Sequence, residues 1–86
     1  MVSDPRIRAA RAFGLALKVA RINRGMSQED VAAVCEFDRS YPSLLERGRR
    51  SPTFFLIVQL TRALQMQPVA LFADAVARLR KKEERS

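Results

Sequence analysis

The sequence predicts an all-α domain of five helices, and two observations lead to this prediction. Apolar residues recur at spacings of three and four, and no part of the chain shows the alternation typical of strands. Side chains typical of helix starts, and glycines typical of helix ends, divide the chain into five segments. The length of 86 residues leaves no room for a second hydrophobic core, so residues 1–86 are predicted to form a single domain.

The first two helices carry clear start and stop signals. The segment Ser3-Asp4-Pro5 places a capping side chain before a proline, which favours a helix start, and Gly25 is expected to end this long first helix. Gly14 lies inside it, where glycine is tolerable if a neighbour packs closely. Ser27 is expected to cap the second helix, whose inner face includes Cys35.

The third helix is predicted over about residues 38–47, with Asp38 as a capping candidate and Gly48 as its end. Pro42 conflicts with that start, because proline lacks an N–H and its ring crowds the carbonyl four residues earlier. An interior proline costs roughly 3 kcal/mol. Two solutions exist: the first turn widens, or the helix begins late with Ser40 or Tyr41 as cap. We favour the late start, and on this view Pro42→Ile is expected to stabilise the fold.

The last two helices follow a short basic loop over residues 49–52. Thr53 is expected to cap a fourth helix that runs through Leu64. A fifth opens at Gln67-Pro68 and runs past Ala75 into a charged tail that is expected to fray. The domain therefore has a core at about 13–72, a basic N-terminal extension at 1–12, and a C-terminal helix and tail at 73–86.

The formal net charge of +7 points to a polyanionic partner. The charge is uneven: residues 1–25 carry six basic groups against one acidic group, and residues 78–86 carry five against two. A merely solvated basic surface is the alternative explanation.

Several function classes find no support in the composition. The chain has no histidine and one cysteine, so it lacks an ordinary nucleophile–base pair and a tetrahedral zinc site. We therefore expect no enzyme activity, no cofactor, no metal and no small-molecule substrate, with Cys35 an inert core thiol rather than a redox switch. No apolar run is long enough for a membrane span, and a reduced, cytoplasmic setting is expected.

The run RINRGMSQEDVAAVCEFDRSYPSLLERGRRSPT, followed by LIVQLTRALQMQPVALF, resembles the helix-turn-helix domain of the Cro and lambda-repressor type, the Xre family. The resemblance covers roughly residues 13–72. It implies a lambda-repressor-like five-helix fold, here with extended first and last helices, whose third helix reads the DNA major groove. Glu36 stands where the family usually has a turn glycine, so the turn is expected to differ from the standard one.

The resemblance also implies roles for individual residues. Gln28, at the start of the second helix, matches a phosphate-contacting position, and Arg21 and Glu46 match a pair between the first and third helices. That pair holds Arg21 near the DNA backbone or serves as an ion pair with no DNA role. Arg49 and Arg50 match a loop that flanks the DNA backbone, although they are also compatible with a solvated patch.

Base reading is expected from the exposed positions of the third helix. Arg39 is the leading residue, since a guanidinium can take both acceptors of a guanine edge. Ser40 and Ser43 suit a base or a phosphate. Leu44 stands where the family is usually polar, so it meets a thymine methyl or adds nothing to specificity.

Apolar residues outside the predicted core indicate a homodimer, with Phe55, Val76 and Leu79 at its interface. The alternative is that residues 73–80 pack on the chain's own first helix. The sequence is thus expected to encode a homodimeric, sequence-specific transcriptional regulator that binds double-stranded DNA. The competing hypothesis is a protein-interaction module, antitoxin-like or partner-docking, with little specific DNA binding.

Overall fold

The computed structural model describes residues 4–84, which contain five α-helices and no strand. The helices are α1 (Pro5–Asn23), α2 (Gln28–Cys35), α3 (Tyr41–Glu46), α4 (Phe54–Ala63) and α5 (Pro68–Glu84). The all-α, five-helix prediction is therefore confirmed. Ser3 and the last two residues of the predicted tail lie outside the described residues.

Three helices begin at side chains that cap them, as the sequence predicted. The Asp4 carboxylate accepts a hydrogen bond from the backbone N–H of Arg6 at 2.8 Å, with Pro5 in the first turn of α1. Ser27 caps α2 reciprocally with the residue three positions later, and the Thr53 hydroxyl accepts from the start of α4 at 3.1 Å. These bonds satisfy N–H groups that have no partner inside their own helix.

The first four helices all end in the same way, with one left-handed residue that lets two N–H groups turn back to earlier carbonyls. Glycine provides that residue at Gly25 and Gly48, but Glu36 and Gln65 provide it after α2 and α4, with φ of 57° and 54°. After α2, the Phe37 N–H bonds the Ala32 carbonyl at 2.8 Å. The expected departure from the standard turn at Glu36 was therefore wrong, because the glutamate itself adopts the backbone conformation that glycine favours.

The third helix begins late, which resolves the conflict at Pro42. Ser40 is the N-cap, so Pro42 is the second helical residue, where no N–H is required. The Asp38 carbonyl accepts a hydrogen bond from the Tyr41 N–H at 3.0 Å. In a helix that began at Asp38, the N–H of residue 42 would have occupied this carbonyl. The helix is accordingly shorter than the predicted 38–47, and Arg39 lies in the turn before it.

Pro42 is also less than 2% exposed, so its ring is part of the core. Isoleucine at this position would add volume to a packed site and restore an N–H without a helical acceptor. The late start that accompanied the Pro42→Ile expectation is therefore confirmed, but the burial of Pro42 argues against the gain in stability expected from that substitution.

The core lies where α1 crosses the other helices, with five large apolar side chains almost fully buried: Leu17, Val31, Leu45, Leu60 and Leu71. Gly14 is where α1 meets the end of α3. A Cβ added there would lie 2.3 Å from the Leu45 carbonyl oxygen and 2.6 Å from the Glu46 carbonyl oxygen. The interior glycine is thus explained by the close approach of a neighbouring backbone.

The two longest helices, α1 and α5, pack against each other, and α5 stays helical through the charged segment to Glu84. The charged tail is therefore helical over residues 78–84 in the structure. Val76 and Leu79, predicted at a dimer interface, are half-buried beside Ala9 and Phe13 of α1. Packing on the chain's own first helix thus accounts for part of their burial, whereas Phe55 remains 68% exposed.

Cys35 is 6% exposed and its Sγ lies 3.8 Å from the Gln59 carbonyl oxygen. Burial raises the pKa of the Cys35 thiol, which disfavours the reactive thiolate. In residues 4–84 no single helix is both long and apolar enough to cross a bilayer; α4 and α5 reach that length and composition only as a pair bent by 110°.

Candidate nucleic-acid interface

Glu46, the last residue of α3, joins three helices through its carboxylate. Arg21 donates to it twice, from Nε to Oε2 at 2.6 Å and from Nη2 to Oε1 at 3.1 Å, and Gln28 donates to Oε1 at 3.0 Å. The Arg21 and Glu46 side chains are 12% and 3% exposed. The hydrogen bond with Glu46 is the main cause that raises the pKa of Arg21, while burial acts in the opposite direction. The structure therefore brings these three residues together and fixes the end of α3 to α1 and α2.

Donor capacity remains in this cluster for a phosphate. A guanidinium has five N–H donors, and Arg21 uses three of them, the third on the Met26 carbonyl at 2.9 Å. The Gln28 amide has two N–H donors and uses one on Glu46. Both side chains therefore hold α3 in place with N–H donors left over.

The start of α2 also offers free amide groups. The Ser27 hydroxyl accepts from the Asp30 N–H at 3.0 Å, and the Asp30 carboxylate accepts from the Ser27 N–H at 2.9 Å. These bonds lower the pKa of Asp30, the backbone bond being the larger cause. The first bond inside the helix runs from the Val31 N–H to the Ser27 carbonyl. The N–H groups of Gln28 and Glu29 are left over, and such groups at a helix start suit a phosphate.

The segment before α3 is held by Asp38. Its Oδ1 accepts from the Ser40 N–H at 2.9 Å and from the Ser40 hydroxyl at 2.6 Å, and these bonds, the hydroxyl bond first, lower the pKa of the Asp38 carboxyl. A hydroxyl has one proton, so Ser40 in this arrangement can only accept. The Ser40 hydroxyl can therefore accept a hydrogen bond from the amino group of a base, but it cannot donate one to a phosphate, the other partner that the sequence left open. The rings of Phe37 and Tyr41 meet edge to face across the turn, with centroids 5.4 Å apart.

The remaining base-reading positions differ in exposure. Arg39 is exposed, and its guanidinium has no hydrogen-bond or ion-pair partner among residues 4–84. Ser43 and Leu44 are half-buried, while Leu45 is fully buried in the core, as its position predicted. Arg39 is thus the side chain best placed to reach a base edge.

The loop after α3 presents Arg49 and Arg50, both exposed, with Arg50 donating to the Arg49 carbonyl at 3.1 Å. The sequence reasoning missed the neighbours of this loop. Arg11 of α1 touches Gly48, and Arg6 faces the same loop across a cleft. The excess of positive charge in residues 1–25 indicated that Arg6 and Arg11 belong to a basic surface, but no local sequence pattern showed that this surface lies beside the loop.

These features define a helix-turn-helix protein: α2 and α3 are joined by a tight turn, and the second helix is anchored at its end with a basic loop beside it. A sequence model of the family described as helix-turn-helix domain matches residues 12–75. The chain belongs to this family.

Known proteins of the same kind are similar in sequence and structure. The uncharacterized HTH-type transcriptional regulator y4dJ of Sinorhizobium fredii is 43% identical over 51 residues, which are 59% of this chain and 66% of that protein. The restriction-modification controller protein C.AhdI of Aeromonas hydrophila is 37% identical, with a TM-score of 0.69 over 72% of this chain and 94% of that chain. The controller protein C.Esp1396I, solved as a tetramer with its natural 35-base-pair operator, is 27% identical, with a TM-score of 0.74 over 83% and 93% of the two chains.

Proposed function

We propose that this protein is a sequence-specific transcriptional regulator that binds double-stranded DNA as a homodimer, with α3 in the major groove. The observation that carries the proposal is the anchoring of α3. Glu46 is fixed at one end by Arg21 and Gln28, while Arg39 stands exposed at the other end. A reading helix needs this combination, because phosphate contacts set its position and base contacts give its specificity.

The relatives support the same proposal. One is named a transcriptional regulator, and another was solved on its operator as a tetramer. A regulatory rather than catalytic role follows for this chain, in the cytoplasm where its DNA would be. The choice between repressor and activator depends on the operator, which the fold does not encode.

The test of DNA binding is fluorescence anisotropy with labelled DNA taken from just upstream of the coding sequence. We expect it to bind at least about 10³-fold more tightly than a scrambled duplex of equal length at physiological salt. Arg39→Ala is expected to reduce this preference by about 30-fold or more, because the proposed dimer loses two bidentate base contacts worth about 1–3 kcal/mol each. Arg62→Ala, at an exposed position of α4, is the control for the lost charge.

Two results would contradict this proposal. Folded protein that fails to bind any DNA at physiological salt favours the protein-interaction module instead. Equal affinity for the upstream and scrambled duplexes, with a steep salt dependence, indicates a nonspecific DNA binder.

The homodimer is proposed to form through Phe55 of α4, with Val76 and Leu79 in support. Phe54 and Phe55 are 84% and 68% exposed, and exposed apolar patches mark interaction surfaces. In sedimentation velocity at micromolar concentrations, we expect a dimer that Phe55→Ser shifts toward monomer. Ile22→Ser, at a 56% exposed position on α1, is the matched control. A wild-type protein that stays monomeric would refute the dimer.

A further inference from the structure

A polar cleft lies between the N-terminal turns of α1 and the loop after α3. It is lined by Arg6 and its neighbours on α1 and by residues 48–51 of the loop, and its volume is about 250 Å³. This volume corresponds to roughly eight water molecules at about 30 Å³ each, which is room enough for a phosphate group. Arg6 precedes the segment that the family model matches, residues 12–75. The α1 side of the cleft therefore lies outside the matched segment, while residues 48–51 lie within it.

The cleft has an excess of positive charge. Arg6, Arg49 and Arg50 line it, against one carboxylate, Asp4. That carboxylate is paired with Arg6, since it accepts from Arg6 Nη2 at 2.9 Å, from Arg6 Nε at 3.3 Å and from the Arg6 N–H at 2.8 Å. The net positive charge of the cleft therefore comes from Arg49 and Arg50, while the guanidinium of Arg6 keeps three of its five N–H donors. The free N–H groups of the helix start are also used, because Ile7 and Arg8 donate to the Asp4 carbonyl. An anion in this cleft would be held by arginine side chains and not by the end of α1.

Arg11 adds a further cation beside the cleft, and its position is fixed by Gly48. A Cβ on Gly48 would lie 2.6 Å from Arg11 Cγ and 2.8 Å from Arg11 Cα, and φ of Gly48 is +72°. Neither the space nor the backbone conformation suits another residue. The loop backbone at Gly48 thus packs closely against α1, which places the loop arginines beside Arg11.

This surface adjoins the proposed reading helix. Gly48 is two residues beyond the end of α3, so Arg11 and the cleft begin where the base-reading segment stops. A ligand that runs along α3 and carries a regular row of negative charge would pass this point. The DNA backbone has this property, and guanidinium groups bind its phosphates bidentately.

We propose that Arg6 and Arg11 extend the DNA interface beyond the helix-turn-helix domain, by contacting backbone phosphates that flank the base pairs read by α3. The inference rests on the proposed function. These two arginines raise affinity and salt dependence without changing the preferred sequence, because phosphate contacts carry no base information.

The test compares the salt dependence of DNA binding by the full chain and by two double variants of equal net charge. Arg6→Gln/Arg11→Gln removes the proposed contacts, and Arg62→Gln/Arg80→Gln removes two exposed charges elsewhere. Each lost phosphate contact lowers the log–log salt slope by about 0.9. We therefore expect a slope smaller by about 1.8 per protomer, or about 3.6 for a bound dimer, in the first variant, an unchanged ratio of specific to scrambled DNA, and a wild-type slope in the second.

Two further measurements distinguish a direct phosphate contact from a loss of folding and from a general effect of net charge. Arg6→Lys/Arg11→Lys keeps both charges and is expected to keep most of the slope, while circular dichroism checks the helicity of every variant. Trimming flanking base pairs from the DNA is expected to lower wild-type affinity to that of the Gln variant. Equal slopes for wild type and the Gln variant, or an equal loss in the control variant, would overturn the inference. A wild-type protein that binds no DNA would instead defeat the proposed function.

Discussion

Removing either partner of the Arg21–Glu46 pair is expected to be among the most damaging polar substitutions in this protein. In Arg21→Met, the carboxylate of Glu46, 3% exposed, keeps only the amide of Gln28 as a partner. In Glu46→Leu, the guanidinium of Arg21, 12% exposed, keeps only the Met26 carbonyl. Breaking a buried pair on one side costs about 3–5 kcal/mol, because the remaining charge has lost both its partner and its water.

The size of this effect can be set against the stability of the domain. At about 0.05–0.15 kcal/mol per residue, a chain of 86 residues has a total of roughly 4–13 kcal/mol. A loss of about 3 kcal/mol lowers the Tm by about 12–24 °C, since 1 kcal/mol corresponds to about 4–8 °C in a domain of this size. The double variant Arg21→Met/Glu46→Leu leaves no buried charge at this pair and is expected to lose less than about 1 kcal/mol.

Urea denaturation followed by circular dichroism measures these three variants against the wild type. The reasoning is refuted if each single variant loses less than about 1 kcal/mol, or if the double variant loses the sum of the two. The double variant also decides the role of Arg21 in DNA binding. Near wild-type affinity in the folded double variant shows that Arg21 makes no phosphate contact that DNA binding needs.

Four further substitutions test the backbone and the start of α3. Gly14→Ala is expected to lower the free energy of unfolding by about 1–3 kcal/mol, because its Cβ would lie 2.3 Å from the Leu45 carbonyl oxygen; a rise in Tm would contradict this close approach. Glu36→Gly is expected to raise the urea midpoint, since relief of the left-handed conformation is worth about 1 kcal/mol, and a lower midpoint counts against that strain. Pro42→Ile is expected to lose about 1–3 kcal/mol in urea denaturation through overpacking of a buried site, and a gain would contradict that overpacking. The pKa of Asp38 is lowered in the folded chain, so the stability that its carboxylate contributes is present above the ordinary pKa of 3.8 and is lost as the pH falls from there through the folded pKa. The urea midpoint of Asp38→Asn, measured as a function of pH, should therefore fall less steeply over this acidic range than that of the wild type.

Local sequence signals were sufficient for the helices and for most of their caps. Ser27, Thr53 and Gly48 act within a few residues of their own position, so the pattern around each one predicts its role. The late start of α3 was also predictable, because proline without an N–H allows few positions in a helix.

The left-handed Glu36 was not predictable in the same way. A non-glycine residue in this conformation costs about 1–2 kcal/mol, and local rules therefore exclude it. The surrounding contacts offset that cost: Phe37 bonds back to Ala32 at 2.8 Å and its ring meets Tyr41 across the turn. Tertiary packing decides such a position, and the sequence alone shows only the missing glycine.

Contacts between distant parts of the chain were also beyond the sequence patterns. Arg11 and Gly48 each carry a local signal, a charge and a helix end, but nothing in the spacing shows that they touch. Similarly, the sequence left Ser40 open to a base or a phosphate, whereas in the structure its hydroxyl proton is bonded to Asp38. Site chemistry depends on these specific partners, and for that reason the fold was easier to predict than the interface.

The short length of α3 has a consequence for how the proposed complex reaches specificity. Six residues at 1.5 Å each give a helix of about 9 Å, with Ser43 and Leu44 half-buried and Arg39 before its start. One bidentate arginine contact is worth about 1–3 kcal/mol, whereas specific complexes exceed nonspecific ones by about 4–10 kcal/mol. A single copy falls short of this range, and two copies on two half-sites reach it. On the proposed function, dimerisation is therefore required for specificity, and Phe55→Ser at the proposed interface is expected to lower specificity together with affinity.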